Sequence, residues 1–229
     1  MRLRIVALLL MVAGVAASAW LARPSPLTFA ANLDAAYAEA RAQSRWVVVH
    51  VRRADRPLGL QMDRATVADP EFARAARDGF VHARLDAASE GACVAPPLRP
   101  GVALATLVTD AEKNVVAELD GFATTAELVA WLARVRARAP ALRDPETPPV
   151  ARSELLFELG ATEAAEWSLA PLPEDARVLL LRGRLESARG HVDAARRDLE
   201  AVVARYPATP SARDAARLLE TNLDPGDRR

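Results

Sequence analysis

The chain has 229 residues, 51% of them hydrophobic, with 30 basic side chains against 30 acidic ones. That length supports one or two domains with a real core, and the balance excludes a disordered chain, a nucleic-acid binder and a polybasic membrane patch. Lys113 is the only lysine, and the arginines are scattered along the chain, which reads as composition rather than as a binding surface.

Residues 1–26 stand apart. Arg2 and Arg4 precede an uncharged run of 18 residues, Ile5 to Ala22, and Ala17-Ser18-Ala19 fits the small-x-small pattern that signal peptidase cleaves. The run is at the lower limit for spanning a bilayer, so a cleaved signal and a retained membrane anchor both fit, with cleavage favoured. Either places the remainder outside the cytoplasm, in the periplasm or cell envelope.

The first element of the mature part is an amphipathic helix over 30–43, with Leu33, Tyr37 and Ala40 on one stripe. "WVVVHV" follows, a β-branched run with the character of a strand buried on both faces. A turn is expected around Pro57 and Gly59. Asp69-Pro70-Glu71 then marks a helix start, with an N-cap acceptor, proline at the first helical position and an acid at the positive dipole end. That helix should run to about Arg77 and stop at Gly79. "FVHARLD" is the next strand, parallel to the first because a helical crossover joins them.

After the Pro-rich stretch "CVAPPLRPG", strands are expected at 103–108 and 115–119. "TDAEKN" between them is short enough for an antiparallel hairpin. Thr124 and Glu127 form a capping box opening the helix "AELVAWLARVRAR". Proline density then rises over 139–150, a semi-rigid linker by composition and the expected domain boundary. Beyond it the period is helical. "LLLRGRLESARGHVDAARRDLEAVVARYP" matches the spacing of a tetratricopeptide helix pair, with Gly183 at a close helix approach, Gly190 in the turn, and Ala195 and Leu199 inside. A weaker pair precedes it over 151–170, and 210–222 supplies a capping helix. The expected division is therefore 1–26, 27–138, 139–150 and 151–224.

The order of elements over 28–138 resembles the thioredoxin fold, and especially the exported thioredoxin-like domains of disulfide-reductase type. "AYAEARAQSRWVVVHV", "TVADPEFARAARDGFVHARLD" and "VVAELDGFATTAELVAWLARV" carry the resemblance. It implies a mixed four-stranded sheet with flanking helices, an α/β sandwich, followed here by a small all-α domain. In that family a Cys-x-x-Cys motif at a helix N-terminus performs thiol exchange, because the dipole and free backbone N–H groups lower the first thiol's pKa. The matching positions here are Arg56, Pro57, Leu58 and Gly59, and none can attack a disulfide. The family also places a cis-proline before a threonine. Here the pair is Ala105-Thr106, where a cis peptide would cost about 2.5–4 kcal/mol, so trans is expected.

Cys93 is the sole cysteine, so no internal disulfide can form. As a lone nucleophile it is the alternative redox residue, but a buried small apolar role fits the habits of free cysteine better. One cysteine and three dispersed histidines make no zinc site, and no metal or cofactor is expected. Arg52, Arg53, Arg56 and Arg64 read as solvated arginines balanced by Asp55 and Asp63, ahead of an anion-binding patch. His50 and His82 read as hydrogen-bonded structural histidines, and Trp46, Trp131 and Trp167 as core. The expectation is a non-catalytic module that binds a protein or peptide partner. Its contact region is Asp55, Arg56, Leu58, Leu60, Ala105 and Thr106, together with the inner faces of the helices over 176–205.

Overall fold

A computed structural model describes residues 27–88 and 103–222. The proposed signal or anchor at 1–26 and the thiol of Cys93 lie outside the described residues. Helix α1 (Leu33–Gln43) starts at Asn32, whose side chain accepts from Ala35 N–H at 2.8 Å. It buries Leu33, Ala36, Tyr37 and Ala40, the stripe its spacing foretold with Ala36 added. Strand β1 (Trp46–Arg52) is buried on both faces as far as Val51. Strand β2 (Phe80–Asp86) pairs with it in parallel, Trp46 opposite Phe80. Strands β3 (Leu104–Thr109) and β4 (Val115–Asp120) form the antiparallel hairpin, and the sheet order is β2-β1-β3-β4. Order and directions together are the thioredoxin-like arrangement.

Side-chain alternation along β1 divides the core, since successive residues point to opposite faces. Val47, Val49 and Val51 join Leu33, Tyr37 and Leu107 beneath α1. Trp46 and Val48 face the other layer, against Phe72 of α3 (Pro70–Arg77) and Leu128, Trp131 and Leu132 of α4 (Thr125–Arg143). Both expected helix starts are present. Asp69 accepts from Glu71 N–H at 2.7 Å, and Thr124 and Glu127 close a full capping box. Helix α3 ends at Arg77, ahead of Gly79 with its φ of +85°, and Arg136 of α4 donates to the carbonyls of Ala75 (2.6 Å) and Asp78 (2.9 Å) at that end.

Two local expectations differ from the structure. The segment after β1 is helical rather than a turn. Helix α2 (Pro57–Met62) begins with Pro57 in its first turn, and a π-helical turn (Asp63–Val67) follows, in which Ala68 N–H reaches back to Asp63 O. A proline at the first helical position, the signal used at Pro70, was present here too. The second difference lies in the proline-rich stretch. Helix α4 continues through Pro140 to Arg143, because Leu142 buries itself in the same core as the sheet. Thr147 then donates to Ala141 O and Arg152 to Asp144 O, fastening the bend into the next helix.

The helical region consists of α5 (Pro149–Glu158), α6 (Thr162–Leu169), α7 (Ala176–Ala188), α8 (Val192–Arg205) and α9 (Pro210–Asn222). Gly183 lies where α7 and α8 cross, and a Cβ there would stand 2.9 Å from Leu199 Cγ. Leu156, Leu159, Ala165 and Leu185 share the core beneath the sheet, so the helices dock directly on it. The contact reaches the sheet edge, where Glu118 N–H of β4 donates to Leu159 O at 3.0 Å. Gly160 packs against the carbonyl of Glu118 with no room for a side chain. At the opposite edge, Ala30 N–H donates to His82 O of β2 at 2.8 Å.

Candidate functional site

The C-terminal end of β1 gathers the segments that the resemblance makes a site. Arg53 N–H donates to Ala103 O at 3.0 Å, and Gly121 N–H donates to Leu104 O at 2.9 Å. These two bonds draw the chain before β3 and the loop after β4 to the start of α2. Gly59 is buried against Arg52, and a Cβ on it would lie 3.1 Å from Arg52 Cβ. That close approach pins the helix over the strand end. Thr66 donates to Ala123 O at 2.8 Å and holds the π-helical turn against the loop after β4.

The sequence-derived positions divide into two sets. Asp55, Arg56, Leu58 and Leu60 are exposed on or beside α2, with Leu58 56% and Leu60 40% exposed. Phe122, at the same end of the sheet, is 37% exposed. Arg56 precedes the helix in extended conformation, and its side chain caps nothing. Ala105 and Thr106, by contrast, are buried side chains of an interior strand, opposite Val51 and His50 of β1. Ala105 faces the α1 layer and Thr106 the other. The structure thus assembles residues 55–60 as a surface and sets Ala105-Thr106 inside the sheet next to it.

Ion pairs account for half of the local arginines. Arg53 grips Asp55 through two bonds, 3.0 and 2.8 Å, and this partner holds the Asp55 carboxyl below its ordinary pKa. Arg52 pairs with Asp63 at 3.1 Å, and Arg84 approaches the same carboxylate at 3.8 Å. The balancing role foreseen for Asp55 and Asp63 is what they perform.

Beneath α3 lies a polar chain. His82 Nε2–H donates to Ala76 O at 2.9 Å, which leaves His82 Nδ1 to accept from His50 Nε2–H at 3.3 Å. His50 Nδ1 and the hydroxyl of Thr106, on cross-strand partners, are both buried and have no hydrogen-bond partner among the described residues. Phe29 and Phe72 close edge-on around the two rings. Burial is the main cause holding both imidazoles neutral: His82 is pushed down to about 4, and His50 well below its usual value with help from the neighbouring His82. His191 hydrogen-bonds Glu186 at 2.7 Å in the turn between α7 and α8. Trp46 and Trp131 are core, but Trp167 is 75% exposed, and its expected core role is wrong. Its helix α6 packs through Ala165 and Leu169, which leaves position 167 on the outer face.

Chemically, this end of the sheet offers apolar contact area and paired charges. Among the described residues no group of three or more metal-ligating side chains exists, and no helix is long and apolar enough to cross a membrane. Comparison with known proteins finds no matching family model and no matching curated protein. Among solved structures the chain is similar to the solution structure of a thioredoxin from Thermus thermophilus, with 23% sequence identity and a TM-score of 0.46, over 52% of this chain and 95% of the thioredoxin.

Proposed function

We propose that the protein is an exported, non-catalytic binding module, in which a thioredoxin-like domain and a tetratricopeptide-like helical region present surfaces to a protein or peptide partner. The observation that carries this reading is the pair of leucines, Leu58 and Leu60, exposed on α2 where the resembling family keeps its thiols. Apolar side chains left exposed on a well-packed platform are suited to hydrophobic contact with a partner, and Phe122 extends the area. The uncharged run at 5–22 supports export, and the Gly183–Leu199 crossing supports the tetratricopeptide-like reading. The test is photo-crosslinking from position 122 of the full chain in intact cells, with Leu58→Asp/Leu60→Asp as the control. One partner should crosslink and be lost in the double variant, whose urea midpoint should stay unchanged because both side chains are exposed. Disulfide reduction by the full chain, abolished by Cys93→Ser, would replace this reading with a single-thiol oxidoreductase.

A further inference from the structure

At the end of the sheet opposite α2, a cleft of about 760 Å³ opens between α1, the β3–β4 hairpin and helices α4 to α6. That volume suits a small ligand or the end of a chain. Its floor is apolar, built from Trp46, Leu107, Val116, Leu142, Leu156 and Ala161, all buried. Trp167 stands on the rim with its indole in solvent.

Four arginines line the same cleft, Arg41, Arg45, Arg143 and Arg152. Elsewhere in the molecule arginines repeatedly meet acids, as at Arg53–Asp55, Arg177–Glu154 and Arg182–Asp198. None of these four forms an ion pair among the described residues. Arg41 donates to Ala111 O (3.1 Å), Arg152 donates to Asp144 O (2.7 Å), and Arg143 lies 4.4 Å over the Trp46 ring. Each of these contacts leaves guanidinium N–H groups to spare. The fifth cation, Lys113, is taken by Asp34 at 3.6 Å.

Of the cleft's own carboxylates, Asp110 is engaged within the hairpin and Glu112 and Glu163 are exposed. Asp110 accepts from Glu112 N–H and from both nitrogens of Asn114, at 2.7 to 3.0 Å, and so closes the hairpin turn. Glu118 has an interaction of its own, and Glu163 is exposed on α6. Glu112 is the exposed acid left at the hairpin tip.

We propose that this cleft binds a carboxylate carried on an apolar body, the carboxylate held by Arg45, Arg143 and Arg152 and the body laid against Trp167 and the apolar floor. Guanidinium forks match a carboxylate in shape and charge, and partial enclosure strengthens the bonds over those at an open surface. Indole offers a rigid face to the apolar part. Two sources carry this chemistry, a free alkyl or aryl acid and the C-terminus of a polypeptide with an apolar last residue. The site is separate from the α2 surface and independent of the function proposed for it.

Isothermal titration of the full chain tests the proposal. The probes are decanoate, kept below its micelle threshold, decanol, and an N-acetylated tetrapeptide ending in leucine, as free acid and as amide. At least one acid should bind, its uncharged counterpart at least about tenfold more weakly. Arg45→Gln, at a side chain with no hydrogen bond or ion pair among the described residues, should weaken the acid severalfold. Arg45→Gln/Arg152→Gln should weaken it at least about tenfold, with the urea midpoint as a check on folding. Binding should also alter tryptophan fluorescence in the native chain and less so in Trp167→Phe. Decanoate binding points to a free acid, and binding of the free-acid peptide alone to a chain end. The proposal is overturned if neither acid binds, if the uncharged probe binds equally well, or if the arginine variants bind like the native chain.

Discussion

Replacing Gly160 with alanine tests whether the helical region is mechanically joined to the sheet. Gly160 has φ +85°, a conformation that costs a residue with a Cβ about 1–2 kcal/mol. The added methyl also overlaps the carbonyl of Glu118, and a backbone atom in a sheet cannot swing aside. The turn between α5 and α6 must retreat from β4 and break the Glu118 N–H bond to Leu159 O. A donor stripped of its partner there costs about a further 1–3 kcal/mol. The expected loss is therefore about 2–5 kcal/mol. Gly190→Ala supplies the control. Its φ of +79° carries the same conformational cost, but nothing lies within 4 Å of the new Cβ, so it should lose only about 1–2 kcal/mol. Urea denaturation of both variants, followed by tryptophan fluorescence, gives the comparison through midpoints and slopes. Equal losses at the two positions would refute the argument, because the contact with β4 would then contribute nothing.

The buried histidine pair makes a second prediction, about pH. His82 titrates at about 4 in the folded chain against 6.5 when free, and His50 is shifted in the same direction. Between those values the unfolded chain takes up a proton that the folded chain refuses, so stability falls as pH drops from 6.5 to 4. His82 alone contributes about 3 kcal/mol to that fall. In His82→Gln the dependence of the urea midpoint on pH across this window should be shallower by about one proton, and an unchanged slope would contradict the assignment. A third prediction concerns the capping box. Thr124→Ala removes the hydroxyl that accepts from Glu127 N–H at the start of α4 and should cost about 1 kcal/mol by thermal or urea melts, whereas Thr124→Ser should cost little.

Much of the sheet was legible because its signals are local and redundant. The β-branched run from Val47 to Val49 can be satisfied only by burial on both faces, and Asp69-Pro70 and Thr124–Glu127 state their helix starts in side-chain chemistry. Where tertiary packing overrides composition, reading failed. Pro140 suggests an interruption, yet Leu142 finds a place in the core two residues later and the helix continues to reach it. Pro57 was read as part of a turn because glycine follows closely, but Gly59 serves the approach to Arg52. At the candidate site, the missing thiols and the balancing of the local arginines by Asp55 and Asp63 were legible in the sequence, while the particular pairs were not. The arginine-lined cleft was not, since Arg45, Arg143 and Arg152 come to line one cleft only through the packing of α4 and α5 against the sheet. Trp167 escaped for the same reason, an indole whose exposure depends on which side of α6 finds neighbours.

Each outer strand of the sheet is met by backbone from outside it, β2 by Ala30 and β4 by Leu159. Open margins are where foreign strands dock and where sheets stack into aggregates. A visiting polypeptide that paired along either margin would first have to displace these contacts. On the β4 side that contact comes from the helical region, which so takes up part of the margin where a second copy would add a strand.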